Sequence, residues 1–328
     1  MNKTIRWGIL SAANIAHKFA NSNALVHGSE IIAVAARTLA KAQKFAAMYN
    51  IPKVYGSYQE LLQDTDIDAV YIATIHPHHT EWVKAALLAG KAVLCEKPLG
   101  MNAEQAKECA SLAQEKGVFL MEGIWTPFLP VYQTVKQWIL DRRIGNIRMV
   151  TAEFAFMDSL GKEGRLLNPA LGGGCLLDLG VYTTFFAGQV LGFTPVSVNG
   201  VIRTTATGVD GAAVYTLQYE NGAIASLSCG IDYSGVNQAR IYGEKGYIYI
   251  ENFSFDPHAF LYIDNFPMAS DYHHENDNQS FKYEISHVVE CLNKNLIQSD
   301  IIPLDHTIKA ACITDQLLQK YGITAPSK

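Results

Sequence analysis

The tetrapeptide Cys95-Glu96-Lys97-Pro98 places a charged pair and a proline directly after the apolar run Ala92-Val93-Leu94. A short apolar run of this kind is typical of a buried parallel strand. Ligands of an open α/β sheet bind outside the carboxyl ends of its strands. The sequence therefore predicts that Lys97 points at a ligand site.

A second candidate group follows the run Gly172-Gly173-Gly174, where Asp178 lies four residues before Tyr182. On a helix this spacing puts both side chains on one face. A lysine ammonium near a tyrosine favours the phenolate, so Lys97 and Tyr182 together suit proton transfer. The alternative is a capping aspartate and a packed tyrosine after a glycine turn, and the presence of Lys97 favours catalysis.

The turn after the first apolar run is the expected place for a dinucleotide pyrophosphate. Ser11 and Ala13 stand at the two positions that usually need glycine, and Asn14 and Ile15 begin the following helical pattern. The helix start still offers backbone N–H groups to a phosphate. An ordinary strand-turn-helix and a cofactor site are both compatible with this stretch.

The end of the second strand favours NADP over NAD. Arg37, Thr38 and Lys41 follow it, and no acid occupies the position that would bind the ribose hydroxyls of NAD. A guanidinium, a hydroxyl and an ammonium together match a 2′-phosphate. The alternative is a solvated helix start.

The third strand runs into a loop with Thr74, His76 and His79, which we expect to line the cofactor together with Glu96 and Trp125. A zinc site is the alternative for a loop with three histidines. No nearby carboxylate or cysteine completes a ligand set with these histidines. No metal is predicted.

Short apolar runs alternate with helical patterns over residues 1–123. The alternation predicts right-handed βαβ crossovers and a doubly wound parallel sheet that binds a nucleotide. Candidate strands are residues 5–10, 31–36, 69–73, 92–95 and 118–121, and candidate helices are residues 14–27, 39–49, 58–63, 80–89 and 103–116. Residues 124–328 form a second α/β domain in which a run of consecutive strands favours an antiparallel sheet.

Composition excludes several functional classes. The chain has 328 residues, of which 49% are hydrophobic and 17% charged, and a formal net charge of -5. These values are ordinary for a soluble globular protein, and no basic stripe marks a nucleic-acid binder. No apolar run long enough to span a membrane is present. Six cysteines without a regular framework suggest reduced thiols and a cytoplasmic protein.

Taken together, these residues resemble the Gfo/Idh/MocA oxidoreductases. The resemblance rests on Glu96-Lys97-Pro98, the 74–79 loop, Arg37-Thr38 and the glycine run with Asp178 and Tyr182. Residues 122–126 and 287–292 look most similar to the dihydrodiol dehydrogenase branch, which is also similar to glucose-fructose oxidoreductase. Pro127 stands where that branch implies an arginine, and His76 stands where asparagine is frequent.

The resemblance implies a Rossmann domain joined to an α/β domain whose large open, mostly antiparallel sheet forms a homodimer interface. It implies an NAD(P)-dependent dehydrogenase of sugars, polyols, diols or small carbonyls. Lys97 matches the family's motif lysine near the nicotinamide. Tyr182 matches the general acid/base, and Asp178 matches the carboxylate that orients the substrate. A redox-sensing regulator that binds NADP(H) without turnover is the alternative, and the atypical glycine turn keeps it open.

Overall fold

The computed structural model describes residues 3–159, 161, 164–255, 258–264, 266–273 and 280–323. The chain forms two compact units. The first comprises Met1–Gly100, Glu104–Trp125 and Asp277–Thr307, and the second comprises Met101–Ala103, Thr126–Asn276 and Ile308–Lys328. The domain division predicted from sequence, after residue 123, lies close to the boundary at Trp125. It does not include Asp277–Thr307, the late segment that belongs to the first unit.

The first unit is built on a parallel sheet of six strands in the order β3-β2-β1-β4-β5-β6, the doubly wound order of dinucleotide-binding folds. The inner strands Ala69–Ile72 and Ala92–Glu96 are buried at every residue, because mostly apolar side chains project from both of their faces. The strands are β1 Ile5–Leu10, β2 Ser29–Ala35, β3 Lys53–Tyr55, β4 Ala69–Ile72, β5 Ala92–Glu96 and β6 Leu120–Gly123.

Sequence patterns predicted these strands except β3. This edge strand has three half-buried residues and no apolar run, and the Lys53 ammonium contacts the carboxylates of Asp64 and Asp66. The helices Leu39–Tyr49 and Tyr58–Gln63 begin at side-chain N-caps, Thr38 and Ser57. The helices before the second sheet are α1 Asn14–Asn23, α2 Leu39–Tyr49, α3 Tyr58–Gln63, α4 His79–Leu88, α5 Ala103–Lys116 and α6 Pro130–Leu140.

Helix α8, Phe281–Asn293, belongs to the first unit although it is formed by residues near the end of the chain. It packs beside α1. The Asn293 side chain accepts a hydrogen bond from the Lys3 amide at 2.8 Å, which joins residues 290 positions apart. The same helix places Phe281 against Trp125, with ring centroids 4.9 Å apart.

The second unit is built on a sheet of eight strands in the order β14-β13-β12-β11-β7-β10-β9-β8. Only the β7–β10 pair is parallel, so the sheet is mostly antiparallel, as predicted. Sequence patterns missed β13 and β14. The strands are β7 Ile147–Ala155, β8 Ser197–Thr204, β9 Asp210–Gln218, β10 Ile224–Gly230, β11 Asn237–Gly243, β12 Gly246–Glu251, β13 His258–Ile263 and β14 Phe266–His273.

One face of this sheet covers an apolar helical segment. A π-helical turn, Leu176–Gly180, leads directly into α7, Val181–Leu191, and α9, Leu304–Lys320, ends the described helices. Within the described residues, Pro169–Leu191 is the one helical segment long and apolar enough to cross a bilayer, but 83% of its most apolar window is buried inside the protein. That degree of burial is typical of a core helix.

Candidate functional site

Lys97 follows the last residue of β5 in the first unit, as the sequence predicts. All five residues of β5 are buried, including the carboxyl group of Glu96. The Tyr71 hydroxyl donates to Glu96 Oε1 at 2.5 Å, and burial followed by the Glu96 charge raises the pKa of Tyr71 well above its usual range. Glu96 therefore links the end of β5 to the neighbouring strand β4 through Tyr71. Lys97, the next residue, is half-buried.

Glu122 of β6 is a second buried acid near Lys97. Its Oε1 accepts a hydrogen bond from the Leu99 amide at 2.9 Å. Burial raises the pKa of Glu122 to about 7, against lowering effects of the Thr307 hydroxyl, the Leu99 amide and Lys97. The Glu122 carboxyl group thus holds the turn that follows Lys97.

A third buried acid, Glu284 of α8, faces Glu96. Neither carboxyl oxygen of Glu284 has a hydrogen-bond partner among the described residues. Burial, followed by the charge of Glu96, raises the pKa of Glu284 well above its usual range. A neutral carboxylic acid in this position avoids the cost of an unpaired buried charge.

His79 links the ends of two neighbouring strands. Its ring is fully buried, with Nδ1 2.7 Å from the Pro98 carbonyl oxygen and Nε2 2.9 Å from the Thr74 carbonyl oxygen. Both neighbours are acceptors, so the ring nitrogen that carries the proton donates to the carbonyl beside it. His79 therefore fixes the residue after Lys97, whose peptide bond to Pro98 is cis, against the end of β4.

The β1–α1 turn bends at Ser11, a non-glycine residue with a positive φ. Ser11 has φ of 84°, in the region that favours glycine, and its amide donates to the Ala35 carbonyl at 3.0 Å. Ala13 is the N-cap of α1 and provides no side-chain cap; Asn14 and Ile15 form the first turn, which contains no acid. An uncapped helix start without a nearby negative charge suits a phosphate.

Arg37, Thr38 and Lys41, which are predicted to bind the 2′-phosphate of NADP, lie on the surface just beyond β2. Thr38 is also the N-cap of α2, and its hydroxyl accepts from the Lys41 amide at 3.4 Å. The three residues are thereby grouped at one helix start, and two of them are cationic.

The remaining predicted cofactor residues lie at the carboxyl edge of the same sheet or behind it. The Thr74 hydroxyl is buried and has no hydrogen-bond partner among the described residues. His76 is buried next to the His79 ring, with centroids 5.7 Å apart. Trp125 is packed against Phe281 of α8 and is only 4% exposed.

In the second unit, the glycine run permits a close backbone approach. A Cβ atom on Gly173 would lie 2.5 Å from the Leu166 carbonyl oxygen, and one on Gly174, where φ is +122°, would collide with the Asp210 carboxylate. That carboxylate accepts from the Leu176 amide at 2.6 Å and from the Cys175 thiol at 3.3 Å. Asp210 therefore caps the start of the helical segment that carries both predicted catalytic groups.

Asp178 lies in the π-helical turn and Tyr182 in the first turn of α7; both are buried. Asp178 Oδ1 accepts from Arg165 at 2.9 Å. The Tyr182 ring lies edge-to-face against Phe154 of β7, with centroids 5.8 Å apart. A π turn is a feature often found at functional sites, and here it determines the relative positions of the acid and the phenol.

These observations fit a bound dinucleotide. The turn at Ser11, the uncapped α1 start and the buried Thr74 hydroxyl without a partner lie at or near the carboxyl ends of β1 and β4, the neighbours at which the strand order reverses. With a lysine after β5, this unit has the construction of a nucleotide-dependent oxidoreductase.

Comparison with known families agrees with that class. A model described as the oxidoreductase family with an NAD-binding Rossmann fold matches residues 5–124. A second, described as the GFO/IDH/MocA C-terminal domain, matches residues 132–249. The chain belongs to the GFO/IDH/MocA family of NAD(P)-binding oxidoreductases, enzymes that act on CH–OH groups.

Full-length relatives are dehydrogenases. The trans-1,2-dihydrobenzene-1,2-diol dehydrogenase of Mus musculus is 38% identical and that of Xenopus tropicalis 39% identical; each match covers 98% of this chain, and 98% and 99% of the relative. These values agree with the resemblance to the dihydrodiol dehydrogenase branch.

Solved structures with the same fold include a ketoreductase and an aldose-aldose oxidoreductase. A 3-ketoreductase from Actinomadura kijaniata, solved with NADP and TDP-benzene, has a TM-score of 0.86 at 25% identity and covers 97% of this chain and 98% of its own. An aldose-aldose oxidoreductase from Caulobacter crescentus, solved with glycerol, has a TM-score of 0.88 at 22% identity, with 98% of each chain covered. The second likeness concerns the fold alone.

Sequence analysis missed five residues that support the candidate groups. Tyr71 and Glu284 contact or face Glu96 from elements distant in sequence, and Arg165 and Asp210 do the same for the helix with Tyr182. No local sequence pattern predicts contacts of this kind. Glu122 is different, because an acid inside an apolar strand pattern is itself a sign of a buried functional or anchoring group.

Proposed function

We propose that the protein is an NADP-dependent oxidoreductase that interconverts a small diol, polyol or sugar hydroxyl and its carbonyl, with Tyr182 as general acid/base. The observation that carries the proposal is Lys97 at the carboxyl edge of a parallel sheet that has a dinucleotide-type first turn. A ring trans-diol is the first substrate class to test, since the full-length relatives are named for one.

The proton chemistry is assigned to this chain's own residues. Alcohol oxidation requires a base at the hydroxyl, and a tyrosine with an ordinary pKa of about 10 is a poor base at neutral pH. The Lys97 ammonium favours the Tyr182 phenolate, which then accepts the hydroxyl proton at its oxygen. Asp178, oriented by Arg165, accepts a hydrogen bond from the substrate and orients it. NADP, when bound, supplies or accepts the hydride.

Tyr182→Phe tests the catalytic assignment. Turnover is expected to fall by about 10²–10⁴-fold while NADPH binding is retained, because only the proton-transferring hydroxyl is removed. NADPH absorbance is followed against aldoses, inositols, dihydrodiols, dicarbonyls and anhydro sugars, and NADPH affinity by fluorescence titration.

Tyr219→Phe is the matched control, since it removes the hydroxyl of another buried tyrosine of the second unit. It should leave turnover unchanged. Wild-type rates in Tyr182→Phe would remove Tyr182 from the mechanism. Tight NADPH binding by the wild type without turnover of any panel member would favour the regulator instead.

The cofactor preference rests on Arg37, Thr38 and Lys41. Arg37→Ala should raise the Kd for NADP at least about tenfold and leave the Kd for NAD unchanged, because a charged hydrogen bond to phosphate contributes about 1.5–3 kcal/mol. Lys44→Ala, also exposed on α2, is the control. Equal wild-type affinities for the two cofactors would contradict the assignment.

We also propose that the protein forms a homodimer through the second sheet and lies in the cytoplasm. Its partner is a small-molecule substrate, not a nucleic acid or a membrane. The outer face of the sheet supports the dimer. Val201 and Val214 are opposite each other and exposed. Farther along the sheet, Tyr247 and Tyr262 stack at 4.5 Å. Five of the six cysteines are buried as thiols, which is compatible with a reducing compartment.

A further inference from the structure

Three potential metal ligands converge at the carboxyl end of α8, away from the residues proposed for catalysis. Cys291 Sγ lies 3.3 Å from His287 Nε2, and Asp300 Oδ1 lies 3.6 Å from the same nitrogen. All three ligand atoms lie within 4.8 Å of one another. His287 and Cys291 are four residues apart on one helix, so both side chains share a face.

The loop after α8 is folded so that Asp300 returns to this face. Asn295 has φ of 55°, and the Leu296 amide donates to the Cys291 carbonyl at 2.9 Å, which closes the helix end. The Ile297 carbonyl then accepts from the Leu120 amide at the start of β6, at 3.1 Å. These backbone contacts place residues 299 and 300 beside His287.

Ser299 indicates which nitrogen of His287 carries a proton. Its buried hydroxyl oxygen accepts from the Ile301 and Ile302 amides at 3.0 and 2.9 Å, which occupies both lone pairs. The hydroxyl proton therefore points to His287 Nε2, 2.7 Å away. Nε2 is then the acceptor nitrogen of the ring, and a metal ion would replace the Ser299 proton at its lone pair.

The two distances measured from His287 Nε2 match edges of a zinc tetrahedron. With bonds of about 2.05 Å to nitrogen, about 2.1 Å to oxygen and about 2.3 Å to sulfur, these edges are about 3.6 Å for N···S and about 3.4 Å for N···O. The two separations measured from His287 Nε2 agree with those edges to within about 0.3 Å. We propose that His287, Cys291 and Asp300 form a Zn²⁺ site whose fourth ligand is water.

The donor set selects the class of metal. Thiolate and imidazole favour zinc and other borderline or soft ions over Mg²⁺ and Ca²⁺, which prefer oxygen. A thiolate and a carboxylate together balance the two positive charges of the ion. The Asp300 side chain is 79% exposed and the His287 side chain 12%, so the ion enters from solvent at Asp300 and binds against the buried thiol.

The loss of a thiol proton provides a second signature. Cys291 is a buried thiol that forms no disulfide. Zinc binds the thiolate, and coordination therefore displaces this proton into the buffer. Calorimetry in buffers of different ionisation enthalpy counts it.

The test uses the untagged full-length chain, stripped with a chelator and titrated with Zn²⁺ and, separately, Co²⁺. We expect one ion per chain, release of about one proton and a thiolate-to-cobalt charge-transfer band with tetrahedral d–d bands. Cys291→Ala should lose the charge-transfer band and weaken Zn²⁺ binding at least about tenfold. Asp300→Asn, an exposed change that leaves the core intact, should keep the band and weaken affinity.

Cys312→Ser is the matched control because Cys312 is the exposed thiol; it should retain both signals. Circular dichroism confirms that each variant is folded. The proposal is overturned by wild type that binds no stoichiometric Zn²⁺, by a charge-transfer band that survives in folded Cys291→Ala, or by its loss in Cys312→Ser. The spacing His-x-x-x-Cys at residues 287–291 was the sequence signal for this site, and Asp300 became part of it only through the folded loop.

Discussion

At the scale of single residues, the surroundings of Lys97 are rich in buried carboxyl groups. Glu96 is held by Tyr71, Glu122 by the Leu99 amide, and Glu284 faces Glu96. Burial shifts the pKa upward for both Glu122 and Glu284. A carboxyl group that stays protonated in the folded state makes stability depend on pH in a direction opposite to that of an ordinary salt bridge.

Glu122→Gln tests this dependence. The pKa of Glu122 is raised from 4.5 to about 7 on folding, so its contribution to stability is fully present below pH 4.5 and is lost as pH rises toward 7. At about 1.36 kcal/mol per pH unit, the loss is about 3 kcal/mol. The unfolding free energy of the variant relative to wild type should therefore rise by about that amount between pH 4 and pH 7.

Chemical denaturation at several pH values gives these free energies. Glu115→Gln is the control, since the Glu115 side chain is 67% exposed. This variant should change the pH dependence of the unfolding free energy little. Parallel pH profiles for Glu122→Gln and wild type would show that Glu122 titrates normally in the folded protein.

At the scale of elements, the glycine run and the π turn operate together. Gly174 lets the Asp210 carboxylate reach the Leu176 amide, and the helical segment so capped carries Asp178 and Tyr182. The arrangement connects β9, which provides Asp210, with the helix that begins at Val181. The positions of the acid and the phenol thus depend on a contact outside their own helix.

Gly174→Ala should break that contact. Alanine at φ of +122° is strained, and its Cβ collides with the Asp210 carboxylate; we expect a loss of about 3 kcal/mol or more in unfolding free energy and lower turnover. Gly222→Ala, at φ of +81° with nothing within 4 Å of its Cβ, should cost only about 1–2 kcal/mol. Denaturation curves for the pair separate the collision from simple backbone strain, and equal losses would contradict the proposed contact.

Sequence patterns predicted most elements because their apolar periodicity is local. Helix α2 and strand β1 begin and end at the predicted residues, whereas the helix expected over 14–27 ends at Asn23. Strand β3 is too short and too polar to give a pattern, and β13 and β14 follow a region without clear alternation. Lys97, Asp178 and Tyr182 were candidates because charge or glycine interrupts an apolar pattern beside them.

The partners of these candidates were not predictable in the same way. In the sequence, Tyr71 resembles the apolar residues beside it in β4. Glu284 resembles any polar residue of an amphipathic helix. Their roles arise because the fold brings α8 to a sheet that lies far from it in sequence. Packing of this kind depends on three-dimensional topology, for which a single sequence gives no local signal.

At the scale of the whole molecule, each unit has its own sheet, and the second sheet has an outer face with few charges. Arg240 lies over the Tyr249 ring at 4.4 Å, and Ser226 and Thr216 are paired nearby. Aromatic and β-branched side chains on a broad face are typical of a protein interface. The proposed homodimer uses this face.

The double variant Val201→Lys/Val214→Lys should convert the dimer to a monomer, because it buries like charges opposite each other on β8 and β9. Light scattering coupled to gel filtration measures the mass. Leu88→Lys, at a position 64% exposed on α4, is the control and should remain dimeric. A monomeric wild type, or a double variant that stays dimeric, would contradict the interface.

The return of Asp277–Thr307 to the first unit bears on the order in which the protein is made. When the ribosome has released Trp125, the chain has all six strands of the first sheet but not the helix that covers Trp125 and packs beside α1. The residues of the second sheet are synthesised before that helix emerges. The nucleotide-binding unit, although it starts first, is therefore completed last, and the nascent chain must keep its unfinished apolar surface from aggregation until then.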